Sequence, residues 1–162
     1  MDEVTQSTPK PEAPLGLYAA RIDDKGRVKL PVDFQEYFAG LGEKKFFITS
    51  LDGCIASIYT LSVWRHNLQV MADLKKEDPK AAAEFGFLTA DLGGQAELDN
   101  QGRLLVPAEL RSDLGMENQP VRLLVVGERV DMLSDREYAE RRRRSKVNAA
   151  ANLETAIKAG LK

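Results

Sequence analysis

The 162-residue sequence has very little cysteine and histidine, the side chains that build disulfides, many metal sites and many catalytic pairs. Cys54 is the only cysteine and His66 the only histidine. One cysteine excludes an intrachain disulfide and a thiolate metal cluster, so we expect a protein of the reducing cytoplasm. We expect Cys54 itself to be a small core residue. One histidine without a matching ligand offers neither a metal set nor a catalytic pair. The sequence therefore predicts no enzyme, no metal, no cofactor and no small-molecule substrate.

Long apolar segments and a strong charge of one sign are also missing. No apolar run approaches the roughly 20 residues of a membrane span, and residues 1–14 lack the basic and apolar parts of a signal peptide. The formal net charge is −2, which gives no general attraction to nucleic acid. Residues 1–14 alone carry −2, so residues 15–162 are neutral overall. Any surface for DNA must therefore be a local concentration of cations.

An internal repeat is the most informative feature that is present. IDDKGRVKLP at residues 22–31 matches LDNQGRLLVP at residues 98–107, with an offset of 76 positions. Both segments contain D-x-x-G-R-x-x-x-P, and the apolar residues 47–49 fall on the apolar residues 123–125 at the same offset. A shared motif at constant spacing indicates a duplicated unit.

Each copy predicts the order strand, strand, helix, strand, strand, helix. Aspartate at the first position of the turn and glycine at the fourth favour a tight hairpin turn that is closed by a left-handed residue. The proline after the second strand favours the start of a helix, which Gly40 or Gly115 would end. The predicted structural turn residues are Asp23, Gly26, Asp99 and Gly102.

The predicted fold class is a β-rich α+β protein. Each half has too few strands to cover both faces of a sheet, so we expect the two copies to form one tandem-duplicated hairpin β-barrel with flanking helices. The predicted boundaries are a disordered tail at residues 1–14, a first repeat at 15–76, a second repeat at 77–138 and a C-terminal helical tail at 139–162.

The doubled motif, CIASIYTLSVW at residues 54–64 and FGFLTADLGGQAELDNQGRLLVPAELR at residues 85–111 resemble the MraZ family of bacterial regulators. This family lies in the AbrB-like swapped-hairpin superfamily, and the resemblance covers roughly residues 15–140. It implies a swapped-hairpin barrel and a ring-like homo-oligomer. It also implies a cytoplasmic, nucleoid-associated repressor that binds short tandem repeats in double-stranded DNA. Those repeats would lie upstream of the division and cell-wall gene cluster, its own gene included, and no membrane is involved.

The first loop concentrates basic side chains that predict contact with DNA. Residues 18–31 carry four cations against Asp23 and Asp24. Cations on a rigid hairpin tip can reach phosphates and guanine edges. The alternative is that Arg27 only pairs with Asp23 across the turn. The predicted DNA-binding residues of this loop are Arg21, Lys25, Arg27 and Lys29.

The second loop adds Arg103 as a candidate DNA contact. Its local charge is negative, because Arg103 and Arg111 stand against three carboxylates in residues 97–111. Orientation of the first loop and contact with a neighbouring subunit are therefore alternatives for this loop.

The C-terminal tail contains four consecutive arginines at residues 141–144. Glu137 and Glu140 stand four positions before Arg141 and Arg144, which is a stabilising spacing on a helix. A solvated, self-paired helix is the favoured interpretation, with auxiliary phosphate contact as the alternative. The tail also leaves open an antitoxin-like protein-interaction module. The negative net charge leaves open a third function, a scaffold ring that has lost DNA binding.

Overall fold

The computed structural model describes residues 11–162, which form an α+β fold. In chain order the elements are β1 (Leu17–Arg21), β2 (Arg27–Lys29), α1 (Val32–Gly40), β3 (Lys45–Ser50), β4 (Ala56–Thr60), α2 (Leu61–Glu77), α3 (Pro79–Asp91), β5 (Gly94–Glu97), β6 (Arg103–Leu105), α4 (Ala108–Asp113), β7 (Pro120–Val126), β8 (Arg129–Ser134), α5 (Asp135–Val147) and α6 (Ala149–Lys158). Residues 1–10 of the predicted disordered tail lie outside the described residues.

Each half has the predicted order of strands and helices, and the structure adds one helix, α3, that the sequence does not predict. Helix α3 lies between α2 and β5, and it starts with Pro79 directly after its cap Asp78. The Asp78 side chain accepts a hydrogen bond from the Ala81 N–H at 3.1 Å, as a helix N-cap does. In the second half the helical tail divides at Asn148 into α5 and α6.

The strands form one antiparallel sheet and a separate two-stranded ribbon. The sheet has the order β1-β7-β8-β4-β3-β5, and the ribbon pairs β2 with β6. A single bridge, between Ile22 and Val28, joins the ribbon to the end of β1. The predicted closed barrel is not confirmed, because the sheet ends at β1 on one side and at β5 on the other.

The two halves exchange their first hairpins. Strand β1 of the first half pairs with β7 of the second, and β5 of the second half pairs with β3 of the first. The two registers differ by one residue. Tyr18 lies opposite Leu123. The equivalent residues at the offset of 76 are Gly94 and Phe47. Gly94, however, lies opposite Ile48, the residue that follows Phe47.

An approximate two-fold axis passes through the centre of the ribbon. Val28 of β2 lies opposite Leu104 of β6, and these residues occupy the same position in the two copies. Two hydrogen bonds flank this pair symmetrically. The Leu30 N–H donates to the Gly102 carbonyl, and the Val106 N–H donates to the Gly26 carbonyl, both at 2.9 Å.

The core lies between the ribbon, the sheet and the short helices α1 and α4. Val28 and Leu104 point inward and are fully buried, as are Phe34 of α1 and Leu110 of α4. Burying such side chains contributes roughly 25 cal/mol for each Å² of apolar surface. The inner face of the ribbon therefore packs on the core, and its outer face is open to solvent.

Cys54 is exposed, so its predicted place in the core is wrong. Strand β4 begins two residues later, at Ala56. Cys54 instead lies in the turn before β4, where its N–H donates to Asp52 Oδ1 at 2.8 Å. Within residues 11–162 no helix combines the length and the apolar character that a bilayer span needs.

Candidate nucleic-acid interface

The first D-x-x-G-R loop is organised by Asp23. Its Oδ1 accepts hydrogen bonds from the N–H groups of Lys25 and Arg27, both at 2.9 Å, and its Oδ2 accepts from Arg27 Nε at 3.0 Å. The Asp23 N–H donates to the Arg27 carbonyl at 2.8 Å, and the Gly26 N–H donates to the Asp23 carbonyl at 3.0 Å. One carboxylate thus fixes both the turn and the direction of the arginine.

The second loop repeats this geometry around Asp99. Its Oδ1 accepts from the N–H groups of Gln101 and Arg103 at 2.9 Å, and its Oδ2 accepts from Arg103 Nε at 2.8 Å. The fourth turn residue is left-handed in both loops, with φ of 83° at Gly26 and 74° at Gly102. Glycine is the residue that adopts this conformation without steric cost.

Hydrogen bonding keeps both aspartates ionised. The backbone N–H of Arg27 lowers the pKa of Asp23 below its ordinary value of 3.8, with a smaller contribution from the Arg27 guanidinium. The backbone N–H of Arg103 does the same for the pKa of Asp99. Each donor stabilises the charged form of the carboxylate, so both aspartates stay ionised at a lower pH than an aspartate without these contacts.

A side chain from the opposite half packs on each turn glycine. The guanidinium of Arg111 lies over Gly26, where a Cβ atom would overlap it. Arg111 also donates to the Val106 carbonyl and pairs with Glu117 Oε2 at 3.3 Å. It therefore ties α4 of the second half to the first loop.

Gln35 has the corresponding position in the first half. Its amide lies over Gly102, and its Nε2 donates to the Leu30 carbonyl at 2.7 Å. Neither Gln35 nor this contact of Arg111 was predicted from the sequence. The offset of 76, which relates Gln35 to Arg111, is the signal that marks them as equivalent.

The outward face of the ribbon carries a group of cations. Side chains alternate along a strand, so the inward Val28 and Leu104 leave their neighbours pointing outward. Arg27 lies opposite Leu105, and Lys29 lies opposite Arg103. We call this surface the ribbon face; its residues are Lys25, Arg27, Lys29, Gln101, Arg103 and Leu105.

Four of the five predicted DNA-binding residues lie on the ribbon face. Lys25 and Lys29 are exposed, whereas the side chains of Arg27 and Arg103 keep 28% and 23% of their surface accessible. Arg21 is the exception. It lies in β1, and its Nη2 donates to the carbonyl and the side chain of Asn118, at 2.9 and 3.2 Å.

Counted along the sequence, the charge of Lys29 belongs to the first loop, but in the structure this charge lies beside the second loop. Because β2 and β6 are antiparallel, Lys29 lies beside Arg103 at the base of the second loop. The second loop is consequently less acidic than its own sequence indicates.

The arginine tract on α5 is largely self-paired. Both predicted ion pairs are present, with Arg141 4.0 Å from Glu137 and Arg144 3.5 Å from Glu140. Arg143 approaches Glu140 more closely, at 2.7 Å. Residues 11–162 contain no group of three or more histidine, cysteine and acidic side chains that could hold a metal ion.

The fold and this surface together define a class: a duplicated α+β protein whose halves exchange hairpins and present a cationic two-stranded ribbon. No protein-family model matches the chain. It is 40% identical over 96 residues to the transcriptional regulator MraZ of Acidobacterium capsulatum, a match that spans 59% of this chain and 65% of that protein. It is 35% identical over 131 residues to the MraZ of a Thermoanaerobacter species, spanning 78% and 84%. With that of Desulfitobacterium hafniense it shares 31% identity over 147 residues, spanning 91% and 99%. The chain belongs to the MraZ family of transcriptional regulators.

Proposed function

We propose that this protein is a sequence-specific DNA-binding repressor that lays its ribbon face in a major groove. The observation that carries the proposal is the convergence of Lys25, Arg27, Lys29 and Arg103 on one solvent-facing surface. A major groove is about 12 Å wide and admits a two-stranded β-ribbon. The names of the relatives, all transcriptional regulators, support the same class of function.

In this proposal the two arginines contact the edges of bases, and the two lysines contact phosphates. Asp23 and Asp99 hold the Nε atoms of Arg27 and Arg103, and no side chain of residues 11–162 hydrogen-bonds their terminal nitrogens, which can therefore meet a ligand. Fixing these side chains before binding reduces the entropy lost on association. Two terminal nitrogens can donate to the O6 and N7 acceptors of guanine. Lys25 and Lys29 are mobile point charges that suit phosphate oxygens.

We further propose a ring-like homo-oligomer that acts in the cytoplasm, at the nucleoid, on tandem short repeats. The targets would lie upstream of the division and cell-wall gene cluster, including the protein's own gene. Exposed apolar side chains on the helices support self-association, among them Phe87 on α3 and Leu153 and Ile157 on α6. Several ribbons in one particle bind repeated DNA by avidity, because the first contact raises the effective concentration for the next.

The test is the salt dependence of binding to the DNA upstream of the gene. We compare the protein with the variant Lys25→Ala/Lys29→Ala and with the control Lys75→Ala/Lys80→Ala, whose lysines are exposed on α2 and α3. Each lost phosphate contact reduces the slope of log K against log salt by about 0.9. We expect a reduction of about 1.8 for each ribbon in contact with the DNA, and no change for the control. Equal slopes for the two variants would remove the ribbon face from the mechanism.

The exposed apolar residues of α6 also favour a second candidate, an antitoxin-like or scaffold protein-interaction module. The two candidates differ in their affinity for DNA. An oligomer that retards its upstream DNA supports the repressor. A protein that does not bind this DNA at low salt supports the interaction module, which is antitoxin-like if the protein is a monomer and a scaffold if it is an oligomer.

A further inference from the structure

The two ends of the ribbon face share one backbone scaffold but carry different side chains. The first end consists of Lys25, Arg27 and Leu105, since Leu105 lies opposite Arg27. The second end consists of Gln101, Arg103 and Lys29. The two-fold axis of the ribbon relates Lys25 to Gln101, Arg27 to Arg103 and Leu105 to Lys29.

Hydrogen bonding within the two turns is the same, so apart from Arg111 and Gln35, which pack on the turn glycines, the ends differ in their exposed groups. The Asp–Arg contacts agree within 0.2 Å, at 3.0 and 2.8 Å. Each end has two cations, but they are arranged differently. The first end has lysine at the tip of the turn and leucine at its base, whereas the second has glutamine at the tip and lysine at the base. Asp24 and Asn100 add a third difference beside the tips.

Leu105 is an exposed apolar side chain on a surface that otherwise carries cations and a polar amide. Its side chain is 56% exposed on the ribbon face, so it contributes little to the core. In a major groove, the apolar group available to such a side chain is the C5 methyl of thymine. The Gln101 amide, also exposed, both donates and accepts, which matches N6 and N7 of adenine.

We propose that the ribbon face reads a DNA site of fixed polarity, with Leu105 and Gln101 as specificity-determining residues at its two ends. This inference rests on the proposed DNA-binding function. The first end combines Arg27 on guanine with Leu105 on a neighbouring thymine methyl. The second end combines Arg103 on guanine with Gln101 on adenine.

The polarity follows from symmetry. A reader with exact two-fold symmetry prefers a palindrome, since both of its ends impose the same requirement on opposite strands. Leu105 of the first end and Arg103 of the second end are two residues apart on β6, a distance of about 6.6 Å. That distance matches about two base-pair steps of about 3.4 Å. The ends therefore contact different base pairs, and their different side chains select different bases.

The experiment removes the difference between the exposed side chains of the two ends. The variant Asn100→Asp/Gln101→Lys/Leu105→Lys gives the second half the exposed side chains of the first. All three positions are exposed. The control Ala83→Lys adds the same net charge of one on α3, away from the ribbon. Each protein selects duplexes from a random double-stranded pool, and each enriched motif is compared with its own reverse complement.

We expect non-palindromic motifs for the unaltered protein and the control, and a palindromic motif for the triple variant. A second variant, Leu105→Ala, keeps the turn intact and should lower the preference for thymine at one position about fivefold. A palindrome selected by the unaltered protein, or one motif shared by all variants, overturns the inference. Enrichment of no duplex by the unaltered protein would instead overturn the proposed function.

Discussion

Backbone conformation and side-chain packing impose the same requirement at Gly26. Its φ of 83° is left-handed, and the space where a Cβ would lie is filled by the Arg111 guanidinium. Gly53 separates these two effects, because its φ of 78° is similar but no atom of residues 11–162 lies within 4 Å of the point that a Cβ would occupy.

Gly26→Ala should therefore destabilise the protein more than Gly53→Ala. The left-handed backbone costs about 1 to 2 kcal/mol in both variants. At Gly26 the displaced Arg111 also loses its hydrogen bond to Val106, which adds about 1 kcal/mol. Urea unfolding measures both changes. Equal losses of unfolding free energy would show that the contact between Gly26 and Arg111 does not stabilise the fold.

Single residues with a local role were the easiest to predict. Asp23 and Gly26 act within four residues of sequence, so the motif alone indicates their turn. Arg21, Cys54 and Lys29 depend on neighbours that the motif does not specify. Arg21 faces Asn118, and Lys29 faces Arg103, through strand pairs that no local pattern specifies.

At the scale of the element, the two turns make the stability of the hairpins sensitive to acid. The pKa values of Asp23 and Asp99 are lowered in the folded protein, mainly by the N–H groups of Arg27 and Arg103. A lowered folded pKa gives stability that is present above the unfolded value, here about 3.8. That stability is lost as the pH falls through the folded value.

The comparison with Asp23→Asn/Asp99→Asn tests this linkage. The unaltered protein should have the higher free energy of unfolding above about pH 5, and the difference should shrink as the pH falls below about 4. Urea titrations at successive pH values measure it. The single variants should contribute similarly, since the two turns have the same hydrogen bonds. A difference that stays constant into acid would contradict the assignment.

Strands and capped helices with clear apolar patterns were predicted, but α3 was not. Its segment, PKAAAEFGFLTAD, lacks a strong polar face, and Phe87 is exposed where a helical pattern would bury it. The start signal was nevertheless present, since Asp78 followed by Pro79 is a typical helix beginning. The closed barrel was expected because each half has too few strands to cover both faces of a sheet. That argument does not specify which strand edges pair.

At the scale of the whole molecule, self-association depends in our proposal on the helical tail. Leu153 and Ile157 are 52% and 56% exposed and lie four positions apart on α6. Leu153→Glu/Ile157→Glu should reduce the particle mass measured by light scattering. Stability should change by no more than about 0.5 kcal/mol. The control Ala151→Glu/Thr155→Glu adds the same charge on the opposite side of α6.

The DNA affinity of these variants separates assembly from recognition. Loss of avidity should weaken binding to a DNA with several repeats, and leave binding to a single repeat unchanged. An unchanged mass for Leu153→Glu/Ile157→Glu would show that α6 is not the contact between subunits.

The exchange of hairpins makes each half incomplete without the other. Four of the six strand pairs among the described residues join the halves: β1 with β7, β2 with β6, β3 with β5 and β4 with β8. Only the pairs β3 with β4 and β7 with β8 lie within one half. The single chain connection between the halves, near Asp78, should therefore be unnecessary once the protein has folded.

A protease site inserted between Glu77 and Asp78, at the junction of α2 and α3, tests this expectation. After cleavage of the folded protein, fragments 1–77 and 78–162 should elute together in size-exclusion chromatography and keep the circular dichroism of the uncut protein. Each fragment alone should be largely unfolded, because its first hairpin and the inner face of its ribbon strand lose their partners and expose apolar surface. Fragments that separate in native buffer and remain folded would show that each half is stable alone. The exchanged pairing would then be incidental to the fold.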